Sequence, residues 1–91
     1  MSSTFVYREK DSGGRPYGVS FGWNDSLCTY FMDVYDWYDT MDFFLRVGTE
    51  YQQYDDFELF LDISIQMLQD KGLPHQEFER RARGIASITH H

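Results

Sequence analysis

Two sets of residues in this chain have types and spacings suited to chemistry. The first is a thiol with an imidazole. Cys28 is the single cysteine, and His75 is the single histidine away from the C-terminus. A nucleophilic cysteine needs a histidine or a cation beside it to lower its pKa. A small cysteine-dependent enzyme using Cys28 and His75 is therefore one reading. The other makes Cys28 a small core side chain and His75 an exposed residue at a helix start, which is the commoner setting for each. The second set is Asp33, Asp36, Asp39 and Asp42, spaced every three residues. A calcium loop needs alternating oxygen ligands, a central glycine and a closing glutamate. That pattern is missing, so neither a metal nor a cofactor is expected. Carboxylate-pair hydrolysis needs two acids roughly 5–10 Å apart, which so acidic a chain meets by chance. The chain contains no H-E-x-x-H, G-x-S-x-G or Walker loop. The expectation is a non-enzymatic chain with no catalytic residue.

The same aspartates are interleaved with Tyr30, Phe31, Tyr35, Trp37, Tyr38, Phe43 and Phe44. A core strand is normally low in charge, and a solvated loop is normally low in rings. Residues 28–47 are both at once, and read as two strands joined by an acidic, ring-bearing loop over 36–40. Tyrosine and tryptophan are enriched at interface hot spots. Carboxylates around them steer a basic partner inward. The expected partner-binding set is Asp33, Tyr35, Asp36, Trp37, Tyr38, Asp39 and Asp42. Rings on strands also suit base stacking, but that needs cations among them. Here carboxylates would repel phosphate, so direct nucleic-acid binding is not expected. Arg80, Arg81 and Arg83 read as a solvated helix face.

The elements that must position these residues follow from composition and pattern. Ninety-one residues make one domain the expectation, and 19% aromatic content supplies a core despite a net charge of −7. One cysteine rules out an internal disulfide, which suits a reducing, cytoplasmic setting. No apolar run approaches the ~20 residues of a membrane span, and no signal-peptide core opens the chain. Charge is uneven: residues 16–70 hold eleven acids and a single base, Arg46. The middle of the chain therefore projects a negative field that favours basic surfaces.

Thr4–Glu9 alternates and reads as a strand. Asp11-Ser-Gly-Gly14 reads as a hairpin turn. A second strand opens at Pro16, with Tyr17, Val19 and Phe21 on one face and Gly18, Ser20 and Gly22 on the other. Trp23–Ser26 is expected as a turn, Leu27–Tyr35 as a third strand, and Phe43–Val47 as a fourth, ended by Gly48. Then the period becomes helical. Asp55 is the expected N-cap, with Glu58 completing a capping-box pattern. Phe57, Phe60, Leu61, Ser64, Ile65 and Leu68 form the stripe of a helix over 56–71, closed by Gly72. Pro74 opens a second helix with Phe78, Ala82 and Ile85 inward, ended by Gly84. Residues 85–91 are expected to be a flexible tail, with His90 and His91 read as tag. The fold class is α+β: a three- or four-stranded antiparallel meander over 4–47, then two helices over 55–84 packed on one face.

The series Gly14-Arg-Pro-Tyr-Gly-Val-Ser-Phe-Gly-Trp23, Leu27-Cys-Thr-Tyr-Phe31, Leu45-Arg-Val-Gly-Thr49 and Gly72-Leu-Pro74 resembles small uncharacterised bacterial proteins. These share a G-W, L-x-T-Y-F, V-G-T pattern. The resemblance implies a compact bacterial domain and carries over no activity. In size, acidity and lack of enzyme motifs the chain also resembles phage and plasmid inhibitors of the anti-CRISPR and anti-restriction class. Such proteins copy a duplex that carries one charge per ~1.7 Å. The expected function is a protein-binding domain, with inhibition of a basic nucleic-acid-handling protein by DNA mimicry as the sharper version. A homodimeric housekeeping domain built on the open sheet face is the alternative outside these classes, and the chain is expected to be a monomer or homodimer.

Overall fold

The computed structural model describes residues 3–89, with side chains to Ile85. It is an α+β fold in which four strands in sequence order form one antiparallel meander: β1 (Ser3–Lys10), β2 (Pro16–Asn24), β3 (Thr29–Asp36) and β4 (Asp39–Val47). The first turn forms as its residues predict. The Asp11 carboxylate accepts from the Gly13 and Arg15 N–H groups, both at 2.9 Å, and Gly14 takes a φ of +81°. Alternation then decides the faces. Tyr7, Tyr17, Val19, Phe21, Met32, Val34, Leu45 and Val47 are buried on the inner face. Gly18, Ser20 and Gly22 fall on the outer face, as expected. The bareness of Gly18 has a use, because a Cβ there would stand 2.6 Å from the Tyr35 ring.

Three boundaries move. Trp23 belongs to β2 rather than to a turn, and its ring packs edge-on against Tyr30 on the facing strand at 5.0 Å. Leu27 and Cys28 belong to the turn, not to β3, since Cys28 adopts a φ of +52° that no strand accommodates. The expected loop over 36–40 contracts to Trp37-Tyr38, and β4 begins at Asp39. The ladder absorbs the difference with register shifts either side of Tyr35, which pairs with Phe43 while Val34 pairs with Leu45.

Helix α1 (Phe57–Asp70) and helix α2 (Gln76–Thr89) cover the inner face. The N-cap of α1 is Asp56, not Asp55: its carboxylate accepts from the Glu58 and Leu59 N–H groups. Asp56 has the extended backbone of a cap, and with it in that role Leu59, not Glu58, stands at the third helical position, so the expected capping box with Glu58 does not form. The C-terminus closes as a Schellman motif. Leu73 N–H reaches the Leu68 carbonyl at 2.9 Å, Gly72 N–H reaches Gln69 at 2.9 Å, and Gly72 has a φ of +72°. Phe60, Leu61, Ser64 and Leu68 are buried on α1; Phe78 and Ala82 are buried on α2. Gly84 does not end α2, which continues to Thr89. Glycine weakens a helix by only about 1 kcal/mol relative to alanine. Arg83, beside it, pairs with Glu79 one turn back in α2 and reaches across to Glu58 of α1. Residues 85–89, expected as a flexible tail, are thus part of the helix. His90 and His91, read as tag, lie outside the described residues.

Candidate functional site

The β3–β4 hairpin holds all seven residues expected to bind a partner, and the structure divides them into three groups. Asp36, the last residue of β3, is buried at 3% exposure. One of its oxygens takes an ion pair from the Arg15 guanidinium, and the other accepts the Tyr38 N–H at 2.9 Å. The Arg15 hydrogen bond, followed by that N–H, holds its carboxyl below the usual carboxylate range. Asp33 stands directly across from Arg46 and accepts from its Nε at 3.1 Å. These two carboxylates therefore serve the fold. Both were expected to face a partner, and in the folded chain each is already paired with a cation of the same chain.

Tyr35 and Trp37 lie on the outer sheet face. Tyr35 packs over Gly18 and meets the Phe43 ring edge-on at 6.2 Å. The Arg8 guanidinium lies over Trp37 at 5.6 Å, and that of Arg46 over Phe43 at 4.3 Å. The rings expected to face carboxylates are thus capped by arginines. Tyr38, Asp39 and Asp42 are left, and all three point to solvent. Met41 joins them. Tyr38 is 77% exposed and Met41 80%. The sequence reading passed over Met41, although an apolar residue inside so acidic a run was a visible signal.

The hairpin tip is shaped by packing rather than by turn chemistry. Tight two-residue hairpin turns favour Gly, Asn or Asp because their residues take positive φ. Trp37 and Tyr38 do not: among the described non-glycine residues, only Cys28 and Gln52 have positive φ. A turn without positive φ splays its strands, and the shifts beside Tyr35 accommodate the splay. The Asp36–Arg15 pair, the Tyr38 N–H bond and an Asp39 bond to the Met41 N–H at 3.2 Å fix the tip.

Cys28 and His75 are not brought together. The Cys28 thiol is half-buried in the β2–β3 turn and faces the Asp25 carbonyl at 3.4 Å, so it is not the core residue expected. Beside it, Tyr30 packs against Phe57 at the N-terminal end of α1. His75 follows the other end of that helix. Its Nε2 meets Gln69 at 3.2 Å, and its buried Nδ1 has no hydrogen-bond partner among the described residues. The helix between Phe57 and Gln69 spans about 18 Å. Neither imidazole nitrogen reaches the thiol.

At the opposite end of the outer face from the tip lies an open groove of about 310 Å³, walled by Trp23, Leu27, Phe31, Asp33 and Arg46. Its two charged groups are paired to each other and offer no free charge to a ligand. Among the described residues, no group of His, Cys, Asp and Glu is placed to hold a metal ion, and no helix is long and apolar enough to cross a membrane. No family model, curated protein or solved structure matches the chain.

Proposed function

We propose that the chain is a non-enzymatic protein-binding module whose β3–β4 tip inserts Tyr38 and Met41 into an apolar pocket with a basic rim. The observation that carries this reading is the exposure of those two side chains, 77% and 80%, on a hairpin tip held by the ion pair of buried Asp36 with Arg15. Turn geometry does not require a tyrosine there, and burial does not use it. A rigid tip also loses little freedom on binding. Asp39 and Asp42 flank it and supply the steering charge. The finer version, mimicry of a nucleic-acid backbone, depends on free carboxylates. Asp33 and Asp36 are occupied by arginines, so at the tip that version rests on Asp39 and Asp42.

The test compares proteins retained from source-cell lysate by the native chain, by Tyr38→Ala with Met41→Ser, and by Leu59→Ser. Leu59 is a half-exposed residue on α1, remote from the tip, and serves as control. A partner held by the native chain and the control is expected to lose at least about 30-fold in affinity for the tip variant, the equivalent of a ~2 kcal/mol hot spot. Asp39→Asn with Asp42→Asn is expected to slow association and flatten its salt dependence. Equal retention by all three proteins refutes the reading.

A further inference from the structure

The two edges of the sheet are built differently. A strand edge presents unpaired N–H and C=O groups to any passing strand, and proteins blunt it with bulges, charges, proline or a covering segment. Both edge strands carry three charges, Arg8, Glu9 and Lys10 on β1 and Asp39, Asp42 and Arg46 on β4, but only the β4 ladder is interrupted, with two register shifts. β1 has neither bulge nor proline. It pairs with β2 alone, in unbroken register from Ser3↔Trp23 to Lys10↔Pro16. Among the described residues, its backbone makes one hydrogen bond outside that ladder, from Lys10 N–H to the Glu9 carboxylate. At its middle, Val6 is 53% exposed on the outer face.

We propose that β1 is the interface of a homodimer, in which the β1 strands of two copies pair antiparallel about Val6 and join both sheets into one. Self-complementarity selects this occupant and this register. Opposed residues in an antiparallel pair share a face, so a two-fold pairing that keeps the inner face continuous must centre on a single residue. Centred on Val6, the strand sets Val6 against the partner's Val6 and Phe5 against the partner's Tyr7. Thr4 meets the partner's Arg8, Ser3 meets the partner's Glu9, and no like charges oppose. Centring on Arg8 sets guanidinium against guanidinium. Centring on Tyr7 sets Phe5 against a carboxylate and Val6 against a guanidinium. Only about Val6 do apolar residues meet on both faces. Phe5 and Tyr7 already pack on Phe21, at 5.9 and 6.3 Å, so the ring cluster continues across the axis.

Charge is compatible with the pairing. Residues 1–15 hold three bases and two acids, so the acidic middle of each chain is kept from the axis. Two chains of net charge −7 still repel at a distance. Added salt therefore strengthens the dimer, whereas it weakens capture of a basic partner by the tip.

Sedimentation equilibrium of the full chain, over a wide concentration range and at low and high salt, reads the outcome. The mass is expected to rise from 10.9 kDa toward twice that value, further at high salt. Val6→Lys, which points outward and places two ammonium groups at the axis, is expected to stay monomeric with the native circular dichroism. Directly opposed Cα atoms in an antiparallel pair lie about 4.5–5.5 Å apart, within disulfide reach. Val6→Cys in a Cys28→Ser background is accordingly expected to oxidise to a covalent dimer, and Thr4→Cys in that background is not. A native chain that remains monomeric throughout overturns the proposal. So does a dimer that Val6→Lys leaves intact and Val6→Cys fails to cross-link. If Val6→Lys fails to fold, the cross-linking pair decides.

Discussion

Replacing Phe60 by alanine removes the ring on which both helices and the sheet converge. Phe60 is 1% exposed. It stacks on Tyr30 at 5.4 Å and lies 6.3 Å from Phe57, 6.3 Å from Phe78 and 6.4 Å from Tyr54. Burying a phenyl group contributes about 1.5–3 kcal/mol, and each favourable ring pair adds about 0.5–1.5 kcal/mol. A cavity between two helices and a sheet cannot collapse fully, which puts the expected loss at about 3–5 kcal/mol. A domain of this length has roughly 5–14 kcal/mol in total. The loss is therefore a large share, and lowers the melting temperature by about 12–40 °C. Urea denaturation followed by tryptophan fluorescence measures it, with an unchanged slope confirming that the unfolded state is the same. A loss below about 1 kcal/mol would refute the placement of Phe60 at this convergence, since no reorganisation of that site recovers four ring contacts.

Two further outcomes test other parts of the fold. Thr29, fully buried, accepts the Tyr54 N–H at 2.8 Å and fastens the segment before α1 to β3. Thr29→Val keeps the shape but strands that N–H, so denaturant unfolding is expected to show a loss of about 1–3 kcal/mol. Asp36 has a folded-state pKa below its unfolded one, so its stabilisation is complete above the ordinary carboxylate range and disappears as pH falls through the lowered value. Acid unfolding of Asp36→Asn is expected to depend less on pH below about 4 than that of the native chain, and identical slopes would remove Asp36 from the acid response.

The sheet, the helices and their inner faces were legible because each rests on a local rule. Period two assigned Tyr17, Val19 and Phe21 to one side of β2, and period 3.6 assigned Phe60, Leu61, Ser64 and Leu68 to one side of α1. Gly72 was legible as a cap because a positive φ at a helix end selects glycine. Boundaries failed where two neighbours satisfied the same rule, as with Asp55 and Asp56, or where packing overrode the rule, as with Trp37-Tyr38 in the hairpin turn. The division of the four aspartates was not in the local pattern at all. Asp36 is occupied by an arginine 21 residues away and Asp33 by one 13 residues away. Spacing in the chain makes Asp33, Asp36, Asp39 and Asp42 equivalent. Strand register and the path of the first turn pair two of them with arginines, Asp36 buried and Asp33 on the outer face, and leave two at the tip. A carboxylate's availability depends on which cation the fold delivers to it, and that is a property of three-dimensional proximity.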